Sequence, residues 1–185
     1  RMDVTETDDA RETFDEFVAD LGGADIVVLN AGVAPGNPDL EWEIERQTID
    51  VNVRGFTALA TAAIHHFEAR GSGHLVGMSS VGALVGNSLV PGYHASKAYV
   101  SNYLDGLRYR TDYNEGDVTV TTIEPGYVDT ELATGDLWLV PVDTAADQIA
   151  DAIESKRKHA YISKRWRLIG WLLKAAPDAL KKRLA

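Results

Sequence analysis

The chain has 185 residues, of which 45% are hydrophobic and 25% charged, with a formal net charge of −10 and no cysteine. This composition is typical of a single globular domain, and the lack of cysteine excludes both a disulfide framework and a thiolate metal site. The acidic balance argues against nucleic acid as a partner, no apolar run is long enough to cross a bilayer, and nothing indicates an oxidising compartment, so we expect a cytoplasmic protein.

The first predicted elements are a helix over residues 8–20, closed by Gly22-Gly23, and a buried strand over residues 25–29. Asn30-Ala31-Gly32 turns out of the carboxyl end of that strand. Parallel sheets bind their ligands at this end of the strands. Asparagine and glycine are also common turn residues, so the triplet alone does not establish a site.

Residues 40–70 have helical periodicity, in one or two pieces, and Asn52 falls inside this region. An asparagine within a helix is usually solvated or bonded locally, because its side chain competes for backbone groups. His65 and His66 suggest a metal site, but adjacent histidines point in different directions on a helix and no third ligand is spaced nearby. We therefore predict a helix surface there and no bound metal.

Residues 74–78 are predicted to form the next strand, which ends at Ser79 and Ser80, and a long helix is predicted over residues 93–113. Tyr93 and Lys97 are four positions apart, so they project from the same face of that helix.

A cation about 4 Å from a phenol at an effective dielectric of about 20 favours the phenolate by up to about 4 kcal/mol, or about 3 pKa units. Lys97 is thus expected to let Tyr93 exchange a proton near neutral pH, and Ser80, thirteen positions earlier, is able to donate to the same substrate oxygen. A Tyr-x-x-x-Lys pair also arises by chance on amphipathic helices.

A further strand is predicted over residues 118–123, ending at Pro125-Gly126, with a last strand over residues 159–163. Residues 131–142 have the composition of a loop that closes over substrate or, equally, of a small satellite cluster. Asp143 or Thr144 is a candidate cap for a helix that runs to about residue 154. The candidate wall residues of the loop are Leu132, Leu137, Trp138 and Leu139.

The whole chain, residues 1–185, is predicted to form one domain with a basic amphipathic segment at residues 164–185. Ten of the eighteen Lys and Arg residues lie in residues 156–185. Basic residues alternate there with Trp and Leu, which is typical of a helix that lies on a membrane surface. A lid or a subunit contact explains the same pattern.

Together, Asn30-Ala31-Gly32, Asn52, Ser80, Tyr93 with Lys97, and the run from Pro125 to Thr130 resemble the short-chain dehydrogenase/reductase family over residues 3 to about 162. The resemblance implies an α/β fold with a doubly wound parallel sheet of the Rossmann type in three layers. It also implies hydride transfer between NAD or NADP and a secondary alcohol or carbonyl compound.

By this resemblance Tyr93 is the general acid and base, Lys97 lowers its pKa and holds the ribose, Ser80 polarises the substrate oxygen, and Asn52 holds a water that links the lysine to solvent. The backbone around Pro125 and the hydroxyl of Thr130 are expected to hold the nicotinamide carboxamide. The cofactor-binding residues implied by the family pattern are Asp3, Val4, Asn30, Ala31, Gly32, Lys97, Pro125, Gly126, Val128 and Thr130.

One family feature is absent from residues 1–185, namely the glycine-rich turn that holds the pyrophosphate at a helix N-terminus. The pattern aligns Asp3-Val4 with the end of the third strand, against the adenine, so the first strands of the fold are expected upstream of Arg1. In the family, the helix that carries Tyr93 and the preceding helix usually form a subunit contact, which implies a homodimer or homotetramer.

Two other functions remain open at this stage. A dehydratase or epimerase of the extended branch of the family uses the same Tyr–Lys pair, and a scaffold of the same fold uses neither residue. The substrate is expected to be apolar around its carbonyl. The side chains available near the expected cleft are Leu84, Val85, Leu89, Val90, Leu132, Leu137 and Trp138.

Overall fold

The computed structural model describes residues 1–114, 116–130, 139–163, 165–166 and 168–169. Within these residues four parallel strands form one sheet in the order β1-β2-β3-β4. The strands are β1 (Ile26–Leu29), β2 (Ser72–Met78), β3 (Asp117–Pro125) and β4 (His159–Ile162). The predicted α/β fold with a parallel sheet is confirmed.

Helices connect the strands, as parallel pairing requires. They are α1 (Thr7–Asp20), α2 (Trp42–Ile49), α3 (Phe56–Arg70), α4 (Pro91–Tyr113) and α5 (Val142–Glu154). The helical periodicity predicted for residues 40–70, in one or two pieces, corresponds to α2 and α3, which a π-helical turn at Asp50–Gly55 joins without interrupting the helical path.

Two apolar clusters cover the two faces of the sheet, because successive residues of a strand point to opposite sides. Leu75 of β2 packs with α1, α3 and α4, where Phe67 and Leu104 are fully buried. The next residue, Val76, packs with β3, β4 and α5 in the second cluster. The sheet is therefore the middle layer of three.

The close packing of α4 on β2 depends on a strand residue without a side chain. A Cβ atom built on Gly77 would lie 2.5 Å from Cδ1 of Leu104, well inside van der Waals contact. This approach lets α4 pack directly on β2.

The predicted cap of α5 is wrong. The helix begins at Val142, so Asp143 and Thr144 lie inside its first turn, and Pro141 stands at the N-cap position with no side-chain cap. A proline there has its φ angle already fixed near the value that the chain needs. None of the helices in the described part of the chain is long and apolar enough to cross a membrane.

Candidate active site

The candidate site lies at the carboxyl ends of the strands, where β2 delivers Ser79 and Ser80. Ser80 has extended backbone angles, and its hydroxyl accepts a hydrogen bond of 3.0 Å from the amide of Gly82. This contact starts a short 3₁₀ turn at Val81–Leu84, after which the chain enters α4 at Pro91. The turn brings the start of α4, with Tyr93, back over the end of β2.

Lys97 is a buried cation, with only 6% of its surface exposed. Its ammonium group donates a hydrogen bond of 2.9 Å to the backbone carbonyl of Met78 and lies 5.7 Å from the centre of the Tyr93 ring. Because burial removes water from the charged form, the pKa of Lys97 is lowered to about 8. Lys97 is thus still mostly charged at neutral pH.

Burial raises the pKa of the Tyr93 phenol, and a hydrogen bond with Ser80 offsets part of this increase. In this structure the direction of the shift is therefore set by burial of the ring and not by the charge of Lys97. The ammonium is directed at Met78 instead of the phenol oxygen, and the loss of solvent around the ring is the larger effect. Tyr93 is consequently a protonated phenol at neutral pH.

Ser79 and Ser80 have different environments although they are neighbours. Ser80 shares a hydrogen bond with Tyr93, and its Oγ lies 3.5 Å from the carbonyl oxygen of Pro125. Ser79 is buried and donates instead to the backbone carbonyl of Lys97, at 2.9 Å. The structure therefore brings Ser80, and not Ser79, to Tyr93.

Asn52 lies in the π-helical turn and is 1% exposed, so its side chain is neither solvated nor bonded only to its own helix, the two alternatives that are usual for an asparagine within a helix. Its amide group donates to the carbonyl of Val33 at 2.8 Å and to Ser96 Oγ at 3.0 Å, and its oxygen accepts from the Val33 amide at 2.9 Å. A Cβ atom on Gly32 would lie 3.5 Å from that oxygen. Asn52 thus joins the chain after β1 to α4. Single π turns inside helices are frequent at functional sites.

The triplet after β1 borders the same region. Asn30 and Ala31 are exposed, whereas Gly32 is half-buried. A Cβ atom on Gly32 would lie 3.2 Å from the ammonium nitrogen of Lys97, so the backbone passes the cation closely and without a side chain between them. The backbone at the carboxyl end of β1 is therefore exposed at Asn30 and Ala31 and lies beside the charged Lys97 at Gly32.

The loop after β3 contains the other residues implied by the family pattern. The hydroxyl of the exposed Thr130 donates to the carbonyl of Val128 at 3.3 Å, and Val128 forms a β-bridge with Val140. A Cβ atom on Gly126 would lie 1.9 Å from Nε1 of Trp166 in the segment after β4. Gly126 is thus a close packing point for the C-terminal segment.

The first residues of the chain lie beside the π-helical turn. The carboxylate of Asp3 accepts hydrogen bonds from the backbone amide and hydroxyl of Thr5, at 3.0 and 2.8 Å, and these lower its pKa. Val4 packs so closely on Gly55 that a Cβ atom there would lie 2.5 Å from the Val4 carbonyl oxygen. This contact fixes the position of Asp3-Val4 relative to Asn52.

Some of the residues singled out in the sequence lie outside the described part of the chain. They are Leu132, Leu137 and Trp138 and most of the segment 164–185. His66 is not at a metal site, since its Nε2 lies 3.3 Å from the carbonyl oxygen of Ala24. Within the described ranges no group of three or more His, Asp or Glu side chains is placed to hold a metal ion.

Sequence reasoning missed a buried polar group behind the site. Glu124 on β3 is 2% exposed and accepts a hydrogen bond of 2.7 Å from Ser101, which in turn lies 2.7 Å from Ser79 Oγ. One signal was available, because a glutamate directly before Pro125 follows a run of uncharged residues, Val118–Ile123, in the strand. A charged side chain is rarely buried in a strand without a partner.

The family model for short-chain dehydrogenases matches residues 1–136, well over half of the chain. The chain belongs to the short-chain dehydrogenase/reductase family. It is 38% identical to an uncharacterized oxidoreductase of Myxococcus xanthus over 142 residues, which are 76% of this chain and 55% of that protein. It is 33% identical to the cis-4-hydroxycyclohexanecarboxylate dehydrogenase of Sinomonas cyclohexanicum over 81% of this chain and 59% of that one.

Among solved structures of the family, a gluconate 5-dehydrogenase from Burkholderia cenocepacia J2315, in complex with NADP and tartrate, is 31% identical with a TM-score of 0.65. The match covers 72% of this chain and 52% of that protein. This short-chain dehydrogenase/reductase chain thus spans a little more than half the length of the two curated relatives described above.

Proposed function

We propose that this protein catalyses hydride transfer between a nicotinamide dinucleotide and a secondary alcohol or carbonyl compound. The observation that carries the proposal is the arrangement at the start of α4. There a buried ammonium, Lys97, lies 5.7 Å from the ring of a buried phenol, Tyr93, which shares a hydrogen bond with Ser80. The same groups that bond one another can bond a substrate oxygen placed between Ser80 and Tyr93.

Tyr93 is the proton donor in the direction of carbonyl reduction. Its pKa is raised by burial, so the phenol carries its proton at neutral pH and can give it to an alkoxide as the alkoxide forms. Ser80 donates a second hydrogen bond to the same oxygen and stabilises the negative charge that develops on it.

Lys97 stabilises the phenolate that remains after Tyr93 has given up its proton, since a cation near a new anion lowers its energy most where water is excluded. Asn52 holds the loop after β1 and the start of α4 in register through Val33 and Ser96. In the reverse direction the phenolate takes the hydroxyl proton of an alcohol.

The described residues fit a nicotinamide nucleotide at the carboxyl end of β1, where the backbone of Gly32 passes the Lys97 ammonium without a side chain between them. We infer that Lys97 holds the ribose hydroxyls of the cofactor. We also infer that the cofactor is NAD or NADP, since the related gluconate 5-dehydrogenase has a complex with NADP. The bound nicotinamide supplies or accepts the hydride. The remaining groups that hold it are Asp3, Val4, Asn30, Ala31, Pro125, Gly126, Val128 and Thr130.

The substrate in this proposal is apolar around its carbonyl group. Leu84 and Val85 are half-buried beside the 3₁₀ turn, and Leu89 is 59% exposed just before α4. The related cis-4-hydroxycyclohexanecarboxylate dehydrogenase has a name that denotes a cyclic secondary alcohol, whose ring is apolar around the hydroxyl and which also bears a carboxylate. A panel of cyclic ketones is therefore the first set to assay.

The proposed subunit contact is formed by α3 and α4 in a homodimer. Tyr99 of α4 stacks on Tyr103 with ring centres 5.6 Å apart, and its hydroxyl bonds Thr57 of α3 at 2.9 Å, while the ring is still 37% exposed. Rigid aromatic side chains on a partly exposed face are typical of interfaces. Light scattering measures the molar mass of the complete protein in solution, and we expect the mass of two chains.

The test of the function is replacement of Tyr93 by Phe, which removes the proton donor and preserves the shape of the ring. We expect turnover in NADH- or NADPH-dependent reduction of ketones to fall by a factor on the order of 10² to 10⁴. Tyr109→Phe is the matched control, because it removes a hydroxyl from the same helix at an exposed position outside the site. Activity of Tyr93→Phe within about threefold of the control would contradict the proposal.

A further inference from the structure

A buried chain of polar side chains runs from the protein surface to the backbone of Lys97. His159 on β4 lies 3.0 Å from one carboxylate oxygen of Glu124, and Ser101 on α4 donates to the other at 2.7 Å. Ser101 lies 2.7 Å from Ser79, and Ser79 donates to the Lys97 carbonyl at 2.9 Å. The chain ends one residue from Ser80 and on the same residue whose ammonium bonds Met78.

We propose that Glu124 is a positioning residue for Lys97 and acts through Ser101 and Ser79. The proposal rests on the function proposed above for Lys97 and adds a second set of residues that keeps this lysine in place. Both ends of Lys97 bond the carboxyl end of β2, since its ammonium donates to Met78 and its carbonyl accepts from Ser79.

The hydrogen atoms in this chain couple the charge of Glu124 to the Lys97 carbonyl. Two serine hydroxyls supply two hydrogens for three short contacts. An ionised Glu124 only accepts, so Ser101 donates to it, and the Ser101 oxygen lies 2.7 Å from the Ser79 hydroxyl. These contacts hold the Ser79 hydroxyl in the orientation that reaches the Lys97 carbonyl, and loss of Glu124 or Ser101 leaves it free to rotate.

The carboxylate form is the one favoured by its neighbours. Burial alone raises the pKa of Glu124, but the His159 ring 3.0 Å from one carboxylate oxygen, together with Ser101 and Tyr161, outweighs burial and holds the pKa below its ordinary value. His159 and Tyr161 stack on each other with ring centres 4.9 Å apart, so β4 presents both groups to Glu124. A buried carboxylate with this many partners is an anchor for the elements that supply them.

The test compares Ser101→Ala and Glu124→Gln with Thr121→Val in the complete protein. Thr121 is a fully buried hydroxyl on the same strand as Glu124, bonded to His74 and to the Arg157 carbonyl and not to the site, so its loss is a matched structural control. The first measurement is competitive acetylation of Lys97 by acetic anhydride over a pH series, read by peptide mass spectrometry. It needs no enzymatic activity.

We expect the pH midpoint of Lys97 labelling to lie near 8 in the wild type and to rise in both Ser101→Ala and Glu124→Gln, because a loosened lysine gains water. Thr121→Val should leave the midpoint in place even if it lowers the melting temperature. Ser101→Thr keeps the hydroxyl and should restore the wild-type midpoint. Equal midpoints in all variants would overturn the proposal.

The second measurement is steady-state kinetics, in which Ser101→Ala and Glu124→Gln should each lower kcat about five- to twentyfold at saturating cofactor. This range is on the order of 1 to 2 kcal/mol, as expected for a displaced charged partner. The double variant should lose no more than the worse single variant, because both changes break one chain. If Tyr93→Phe keeps full activity, the proposed function fails, while the labelling midpoints still decide the positioning role.

Discussion

The backbone of Gly32 lies so close to the ammonium group of Lys97 that a methyl group on Gly32 would be 3.2 Å from the nitrogen. The contact joins the end of β1 to the first turns of α4, two elements that are far apart in the sequence. It requires that residue 32 have no side chain if the ammonium is to keep its bond to Met78.

Gly32→Ala is therefore expected to lower kcat about tenfold or more, with a change in the free energy of unfolding below about 1 kcal/mol. The methyl group displaces the Lys97 ammonium by a few tenths of an ångström and meets the Asn52 oxygen at 3.5 Å. Gly36→Ala is the control, since a Cβ atom there has nothing within 4 Å. The prediction fails if the two variants have equal kinetics.

Lys97→Met is expected to stabilise the protein and to abolish most of its activity. The folded pKa of Lys97, about 8, lies below its ordinary value of 10.5, so below pH 8 the folded state holds a buried charge at full cost. The free-energy cost of holding this charge in the folded state is at most about 3 kcal/mol. It falls as pH rises from 8 to 10.5, because in this range the unfolded chain binds more protons than the folded chain. The stability gain of the variant should thus be largest near pH 7.

Urea unfolding of wild type and Lys97→Met at pH 7 and pH 10 measures this difference. Lys158→Met is the control, since its exposed ammonium pairs with Asp112 on the surface and carries no burial cost. A gain that does not shrink between the two pH values would show that Lys97 is solvated. Lower stability of Lys97→Met at pH 7 would mean that its bond to Met78 outweighs the burial of the charge.

Glu124→Gln is expected to destabilise the protein at neutral pH and to have little effect in acid. The folded pKa of Glu124 lies below its ordinary value of 4.5, so its carboxylate stabilises the fold above pH 4.5. That stabilisation is lost as pH falls through the folded pKa, because the folded state must then bind the proton. Denaturation of both proteins between pH 3 and 7 measures the difference, which would stay constant if Glu124 were not ionised in the folded state.

Two glycines should respond to alanine in opposite directions. Gly106 lies inside α4 with open space around it, so Gly106→Ala should raise the free energy of unfolding by about 0.5–1 kcal/mol. Gly77→Ala should lower it by about 1–3 kcal/mol, since the methyl group meets Leu104 at 2.5 Å. Chemical denaturation measures both. A loss of stability in Gly106→Ala would mean that the site on α4 is covered.

Gly126→Ala is expected to displace Trp166 from the loop after β3. The indole is 7% exposed and packs with Tyr127, and a methyl group on Gly126 would overlap it. Hydrogen–deuterium exchange should increase in the peptide that contains Trp166. A double variant with Trp166→Leu should recover part of the lost stability, because the smaller side chain removes the overlap. Independent, additive losses would contradict this contact.

The secondary structure was largely predictable because apolar spacing reports which face of an element is buried, as in α1 and α4. The meeting of Ser80 with Tyr93 followed from the family resemblance and the helical spacing. The raised pKa of Tyr93 was not predictable, since it depends on how much water the folded chain removes from the ring. Ser101 and Glu124 were missed because their contact joins residues 23 positions apart in the sequence.

The π-helical turn at Asp50–Gly55 holds one more residue than the same stretch of α-helix needs. Deletion of a single residue there would let α2 and α3 merge into one regular helix with both flanks close to their present orientation, and the change would fall on the residues of the turn itself. Asn52 would then turn away from Val33 while the helix itself kept its hydrogen bonds. A frame-preserving deletion of three bases at this point would therefore remove the placement of Asn52 on which the proposed reaction depends and would keep the fold.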